Sequence, residues 1–265
     1  MNFVRSGTAT PPLLFVHGFT CDHTDWAPQT TYFAKRHAVA ACDLRGHGAT
    51  PGTPEDATPE NFAADVAALL AELDWTGAFL VGHSMGCRVV MQAALNAPER
   101  VAGIVLLDGS ALGEGDPASA ERNFRAAIQA VGFRAFSTHM FEEMFTPTSD
   151  PVKRAAILAR TARFPEALGT AIMPRTAAWD ARNLDQALAS ITVPILAIQS
   201  TTMNAARDRV SLNVGDTVPY LERLRRGRPD LRTEIIPGAG HFTGLDAPDA
   251  VNRAIERFVA QIRAR

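Results

Sequence analysis

Residues 80 to 90 read LVGHSMGCRVV: an apolar run, a serine set between two glycines, then a stretch with helical spacing of Val89, Val90, Ala93 and Ala94. The order matters physically. A serine on a sharp strand-to-helix turn has its hydroxyl exposed, and the turn brings neighbouring backbone so close that residues two before and two after must be small. Gly82 and Gly86 meet that need. A helix starting near Met85 also points free N–H groups and the positive end of its dipole at Ser84. The competing reading is a glycine-rich turn with an idle serine.

The rest of the chain supplies a frame for such a turn. Short apolar runs, each ending in turn residues or a polar group, recur at Leu13–Val16, Ala38–Cys42, Ala78–Val81, Ile104–Leu107, Ile195–Ile198 and Thr233–Ile236. Runs of this kind suit strands buried on both faces. Helix-patterned segments lie between several of them, such as Phe62, Val66, Leu69, Leu70 and Leu73. Alternation of strand and helix predicts an α/β chain with a mostly parallel, doubly wound sheet. Functional residues then belong at the carboxyl ends of the strands.

From Ala111 to Ser190 the rhythm stops, and no strand pattern is visible. Phe124, Ile128 and Val131 read as one helix face; Phe136, Met140, Met144 and Phe145 read as another. This interval is expected to be a helical insertion over the carboxyl edge of the sheet, with residues 1–110 and 191–265 forming the core. Such aromatic and methionine stripes are more often a segment's own packing than a ligand wall.

Composition bounds the partners. Of 265 residues, 46% are hydrophobic and 20% charged, and the formal charge is −2. With no basic stretch, nucleic acid and anionic membrane are not expected as main partners. Three cysteines without CxxC spacing fit reduced thiols, and no HExxH-type metal pattern occurs. The segment MNFVRSGTATPP lacks the apolar run of a signal peptide, so a cytoplasmic location is expected.

Four stretches together give the chain its likeness: His17-Gly18-Phe19 after the first buried strand, Asp43-Leu44-Arg45-Gly46-His47-Gly48 after the next, Gly82-His83-Ser84-Met85-Gly86, and Gly240-His241-Phe242 after the last. In this order, each at a strand end, they resemble the α/β-hydrolase superfamily, closest to its serine esterase and haloperoxidase-like branch. The resemblance implies a helical cap inserted between the sixth and seventh strands, with the family's first antiparallel strands reduced here. It implies Ser84 as nucleophile, His241 as its general base, and an oxyanion hole from the backbone N–H groups of Phe19 and Met85. No metal and no cofactor are needed. His17 is expected to brace the oxyanion loop, His83 and His47 to be structural, and His23 and His139 to be solvated.

The acid is the open question. In much of the family it follows the strand that is ILAIQ here, where Met203 and Asn204 stand instead. Asp208 lies further on, between Arg207 and Arg209, in a run that reads equally well as solvated surface. Some branches place the acid after the strand that follows the nucleophile helix, which here ends in Asp108. Asp108 is the favoured candidate and Asp208 the alternative. The implied activity is cleavage of a carboxylic ester, thioester or lactone of a small, largely apolar molecule. The same triad serves carbon–carbon bond hydrolysis, cofactor-free haloperoxidase and lyase chemistry in relatives, and a few proteins of the fold are non-catalytic receptors. Oligomeric state is not legible.

Overall fold

The computed structural model describes residues 1–204 and 208–264. Its centre is a seven-stranded sheet. In chain order the strands are β1 (Phe3–Ser6), β2 (Leu13–Val16), β3 (Val39–Cys42), β4 (Ala78–His83), β5 (Val101–Leu107), β6 (Ile195–Gln199) and β9 (Arg232–Ile235), arranged β1-β3-β2-β4-β5-β6-β9. All neighbours are parallel except β1, which runs antiparallel to β3. Strands β2, β3, β4 and β6 are buried along their whole length, as continuous apolar runs require when both faces are covered.

Alternate residues feed two cores. Leu14 and Val16 pack with α2 (Pro59–Glu72), α3 (Gly86–Asn96) and the insertion; Leu13 and Phe15 pack with α1 (Ala27–Phe33) and α10 (Pro248–Arg263). Helices therefore cover both faces, as the alternation of patterns predicts. No helix among the described residues is long and apolar enough to cross a membrane.

Between β5 and β6 come four helices: α4 (Pro117–Val131), α5 (Phe133–Glu142), α6 (Pro151–Arg163) and α7 (Glu166–Ser190). Asp116 and Asp150 cap α4 and α6 with side-chain oxygens, and Pro117 and Pro151 follow directly, where a missing N–H costs nothing. In this chain the insertion follows the fifth strand, not the sixth, because a single antiparallel strand precedes β2. The helix face proposed through Val131 ends early: Ile128 is buried, but Val131 is 61% exposed at the helix terminus.

After β6 the chain forms a small antiparallel ribbon, β7 (Thr201–Met203) with β8 (Arg209–Ser211), then α8 (Pro219–Gly227), β9 and the short α9 (Thr243–Asp246). Part of the stretch expected as a loop is thus a paired ribbon; residues 205–207, Arg207 included, lie outside the described residues.

Candidate active site

Parallel register brings the site together. Gly82 and His83 of β4 sit opposite Leu106 and Leu107 of β5, so the residues that follow, Ser84 and Asp108, emerge side by side at the sheet's carboxyl edge. The Ser84 N–H donates to the Leu107 carbonyl, and the Asp108 N–H donates to that of Ile198. Both residues have positive φ, 53° and 45°. Non-glycine residues held there cost of order 1–3 kcal/mol each and persist only where surrounding structure enforces them. The turn at Ser84 is as tight as its sequence implies. A Cβ on Gly82 would lie 2.4 Å from the Gly86 carbonyl oxygen, and one on Gly86 2.4 Å from that of Val16.

His241 arrives from the loop after β9. Its Nε2 is 2.8 Å from the Ser84 Oγ and its Nδ1 2.6 Å from the Asp108 Oδ2. With Asp108 ionised, Nδ1 carries the proton and Nε2 accepts from the serine hydroxyl. Three bonds fix the loop around the ring. The His241 N–H donates to the Met144 carbonyl at 2.8 Å, His83 Nε2 donates to the His241 carbonyl at 2.8 Å, and the Gly240 N–H donates to Asp246 Oδ2 at 2.8 Å. A Cβ on Gly240 would stand 2.7 Å from the Met144 carbonyl oxygen, so only glycine admits this approach.

Asp108 is fully buried and heavily solvated by protein donors. Its Oδ1 accepts from the Ser200 N–H (2.7 Å), the Ser200 hydroxyl (2.9 Å) and the Thr201 N–H (2.9 Å); its Oδ2 accepts from the Thr201 hydroxyl at 2.5 Å and from His241. Burial pushes this carboxyl upward, but the His241 bond and charge, the Arg209 charge and the Thr201 bond outweigh it and hold the group at about 2. His241 is shifted below 6.5: burial and the positive charge of Arg209 outweigh the raising effect of Asp108. The imidazole is therefore neutral at pH 7, the form that can take a proton.

Asp208 is elsewhere. It is exposed and closes the hairpin, its N–H donating to Asn204 Oδ1 at 2.9 Å. Met203, at 44% exposure, and Asn204 are exposed as well. What stands at the end of β6 is the Ser200-Thr201 pair, which sequence reading passed over. Two adjacent hydroxyl residues directly after that strand are the available signal, since they can serve as donors to an acid on the next strand. Gln199 adds to this, its Nε2 donating to the Gly109 and Thr201 carbonyls, both at 2.9 Å. Arg209, read as solvated surface, turns inward: its Nη1 donates to Thr201 Oγ1 at 2.8 Å and lies 3.8 Å from Asp108 Oδ2.

The Gly18-Phe19 loop lies against the serine, with a Cβ on Gly18 only 3.1 Å from Ser84 Cβ. His17 holds this loop, Nδ1 donating to the Gly18 carbonyl (2.7 Å) while Nε2 accepts from the Leu44 N–H (3.0 Å). Burial keeps that ring neutral by lowering its pKa. Neither the Phe19 nor the Met85 N–H has a protein acceptor among the described residues. Asp43, fully buried, organises the second loop by accepting from Asn2, His23 and Ala49. His23 is thus an Asp43 partner, while His139 is exposed on α5. His47 is buried against Phe164, His17 and Phe62, and burial takes it down to about 3.

Ser84, Met85, His241 and Phe19 open on a cavity walled on the insertion side by Met140, Phe141, Met144, Met173 and Thr176. The methionines of the insertion thus line the cavity as well as packing its helices. Phe19 meets Phe133 and Phe164 edge-on, centroids 6.3 and 5.5 Å apart. Below them Arg88, on α3, makes a buried pair with Asp180 of α7 at 2.8 and 2.7 Å and donates to the Ser84 carbonyl at 3.0 Å.

Comparison with known proteins places this arrangement. The sequence model of the alpha/beta hydrolase family matches residues 13–254. The chain belongs to the alpha/beta hydrolase family. Among the family's members, 2-(acetamidomethylene)succinate hydrolase of Mesorhizobium japonicum is 26% identical over 264 residues, covering 97% of this chain and 90% of that one. Two solved hydrolase structures superpose with TM-scores of 0.79. Est816, described as an N-acyl homoserine lactone degrading enzyme, is 26% identical over 97% of this chain and 96% of its own. A thermophilic esterase from Thermogutta terrifontis is 25% identical over 98% and 93%.

Proposed function

We propose that this alpha/beta hydrolase cleaves a carboxylic ester, thioester or lactone through an acyl-enzyme on Ser84. The observation that carries the reading is the unbroken line Ser84 Oγ–His241 Nε2 (2.8 Å) and His241 Nδ1–Asp108 Oδ2 (2.6 Å) at the floor of the cavity. Ser84 Oγ attacks the substrate carbonyl carbon as its proton passes to His241 Nε2. Asp108 holds the other ring nitrogen and stabilises the imidazolium that forms. The backbone N–H groups of Phe19 and Met85 receive the charge that builds on the carbonyl oxygen, contributing about 3 kcal/mol each. Collapse expels the alcohol, thiol or lactone alkoxide with the proton from His241. Water, deprotonated by the same ring, then attacks the acyl carbon and frees Ser84.

No cofactor enters this scheme. The helices α4–α7 act as a cap, and their Met and Phe side chains favour a small molecule with an apolar part. Two relatives that span the chain, one described as an esterase and one as a lactone-degrading enzyme, are consistent with this class of substrate.

The test is turnover of p-nitrophenyl butyrate by the protein and by Ser84→Ala, with fluorophosphonate labelling alongside. Turnover and labelling are expected in the parent and absent in the variant. Equal turnover in both would refute Ser84 as nucleophile.

A further inference from the structure

We propose that Arg209 selects the substrate: its guanidinium binds a carboxylate carried by the molecule being cleaved, so that the preferred substrates are small esters or lactones bearing an acid group. This rests on the hydrolase reading above and narrows it.

In the ribbon β7–β8, Met203 and Val210 are exposed, while Thr201 is buried and Ser211 half-buried. Arg209 is turned under the ribbon on the face it shares with Ser211, its side chain only 11% exposed. Removing a guanidinium from water without full pairing is costly unless something else compensates. Among the described residues its compensation is incomplete. One N–H is used on Thr201 Oγ1 at 2.8 Å, and the nearest carboxylate oxygen, Asp108 Oδ2, is 3.8 Å away, beyond hydrogen-bond reach. Asp108 is already filled by Ser200, Thr201 and His241. A cation serving only to steady Asp108 would bond to it directly; here Thr201 stands between them.

Arg209 also borders open space. Arg209 and Ser110 are the two residues that line both the catalytic cavity and the adjoining groove. The guanidinium thus stands at the junction, with a planar donor fork suited to a carboxylate. Nothing else in the cavity competes for an anion. Arg88, its other cation, is committed to Asp180 and to the Ser84 and Ser110 carbonyls. The cavity lining also includes the apolar side chains of Met140, Phe141, Met144 and Phe242. A bound molecule would therefore set its apolar part on these side chains and its acid group at Arg209, with the scissile carbonyl at Ser84.

The test compares two p-nitrophenyl esters of matched length, the neutral p-nitrophenyl hexanoate and the anionic mono-p-nitrophenyl glutarate, with the whole protein. The unaltered protein is expected to favour the anionic ester by about tenfold or more in kcat/KM, the worth of one well-placed charged contact. In Arg209→Gln that ratio is expected to fall by about tenfold, mainly through KM of the anionic ester, and Arg209→Lys should restore part of it. A general effect through Asp108 would lower kcat for both esters alike and leave the ratio unchanged, which would overturn the proposal. So would a preference of the unaltered protein for the neutral ester, a result that needs no variant. Failure of the hydrolase reading itself is distinguishable: the unaltered protein would turn over neither ester, and both proposals would fall.

Discussion

Ser200 delivers both its backbone N–H and its hydroxyl to a single carboxylate oxygen of Asp108, at 2.7 and 2.9 Å. The strand that in many relatives would be followed by the acid is here followed by donors to an acid on the neighbouring strand. Asp108 is thereby kept ionised in a site with no access to water.

The Thr201 hydroxyl bonds the carboxylate oxygen that also holds His241. Thr201→Val removes that donor while keeping shape, leaving a buried charge one bond short. The expected loss is about 1.5–3 kcal/mol of stability, with reduced kcat. Ser200→Ala should cost less, because Oδ1 keeps two backbone N–H donors whereas Oδ2 without the Thr201 hydroxyl keeps only His241. Urea unfolding checks both; a Thr201→Val protein as stable as its parent would contradict the donor role.

The pH dependence follows from His241, whose folded pKa lies below the ordinary 6.5. The unfolded chain takes up that proton first. The stability this group contributes is therefore complete above pH 6.5 and lost as pH falls through the lower, folded pKa. For activity, the plateau of kcat/KM should extend below pH 6.5 before the acid limb begins. Arg209→Gln removes a charge that lowers the His241 pKa, so its acid limb should move to higher pH. A limb that stays put or moves lower would count against this coupling.

Arg88 and Asp180 tie α3, which follows the Ser84 turn, to α7 of the insertion. Both are buried. Arg88→Met should cost about 3–5 kcal/mol, because Asp180 is left as an unpaired buried charge. Arg88→Met with Asp180→Leu should recover much of that loss. Chemical denaturation of the single and double variants decides it, and a double variant worse than the single would contradict the pairing argument.

Much of this was legible in the sequence because it depends on local rules. Gly82 and Gly86 announce a turn that no larger residue fits, and the fully apolar runs of β2, β4 and β6 announce a covered parallel sheet. The placement of Asp108 was harder to read, since it depends on β5 and β6 being neighbours, a long-range pairing. Arg209 was misread for the same kind of reason. In a polar run, only the pairing of Met203 with Arg209 across a hairpin determines which way that side chain turns. The methionines of the insertion pack and line the cavity at once, which periodicity alone does not distinguish.

The most direct measurement is kcat/KM on one ester for Asp108→Asn and Asp208→Asn side by side. Asp108→Asn should lose about 10⁴-fold, as expected when an imidazole is left in the wrong tautomer without its counter-charge. Asp208→Asn, altering only an exposed hairpin closure, should stay within about twofold of its parent. The reverse order, or an Asp108→Asn protein that folds normally and keeps full activity, would contradict the account.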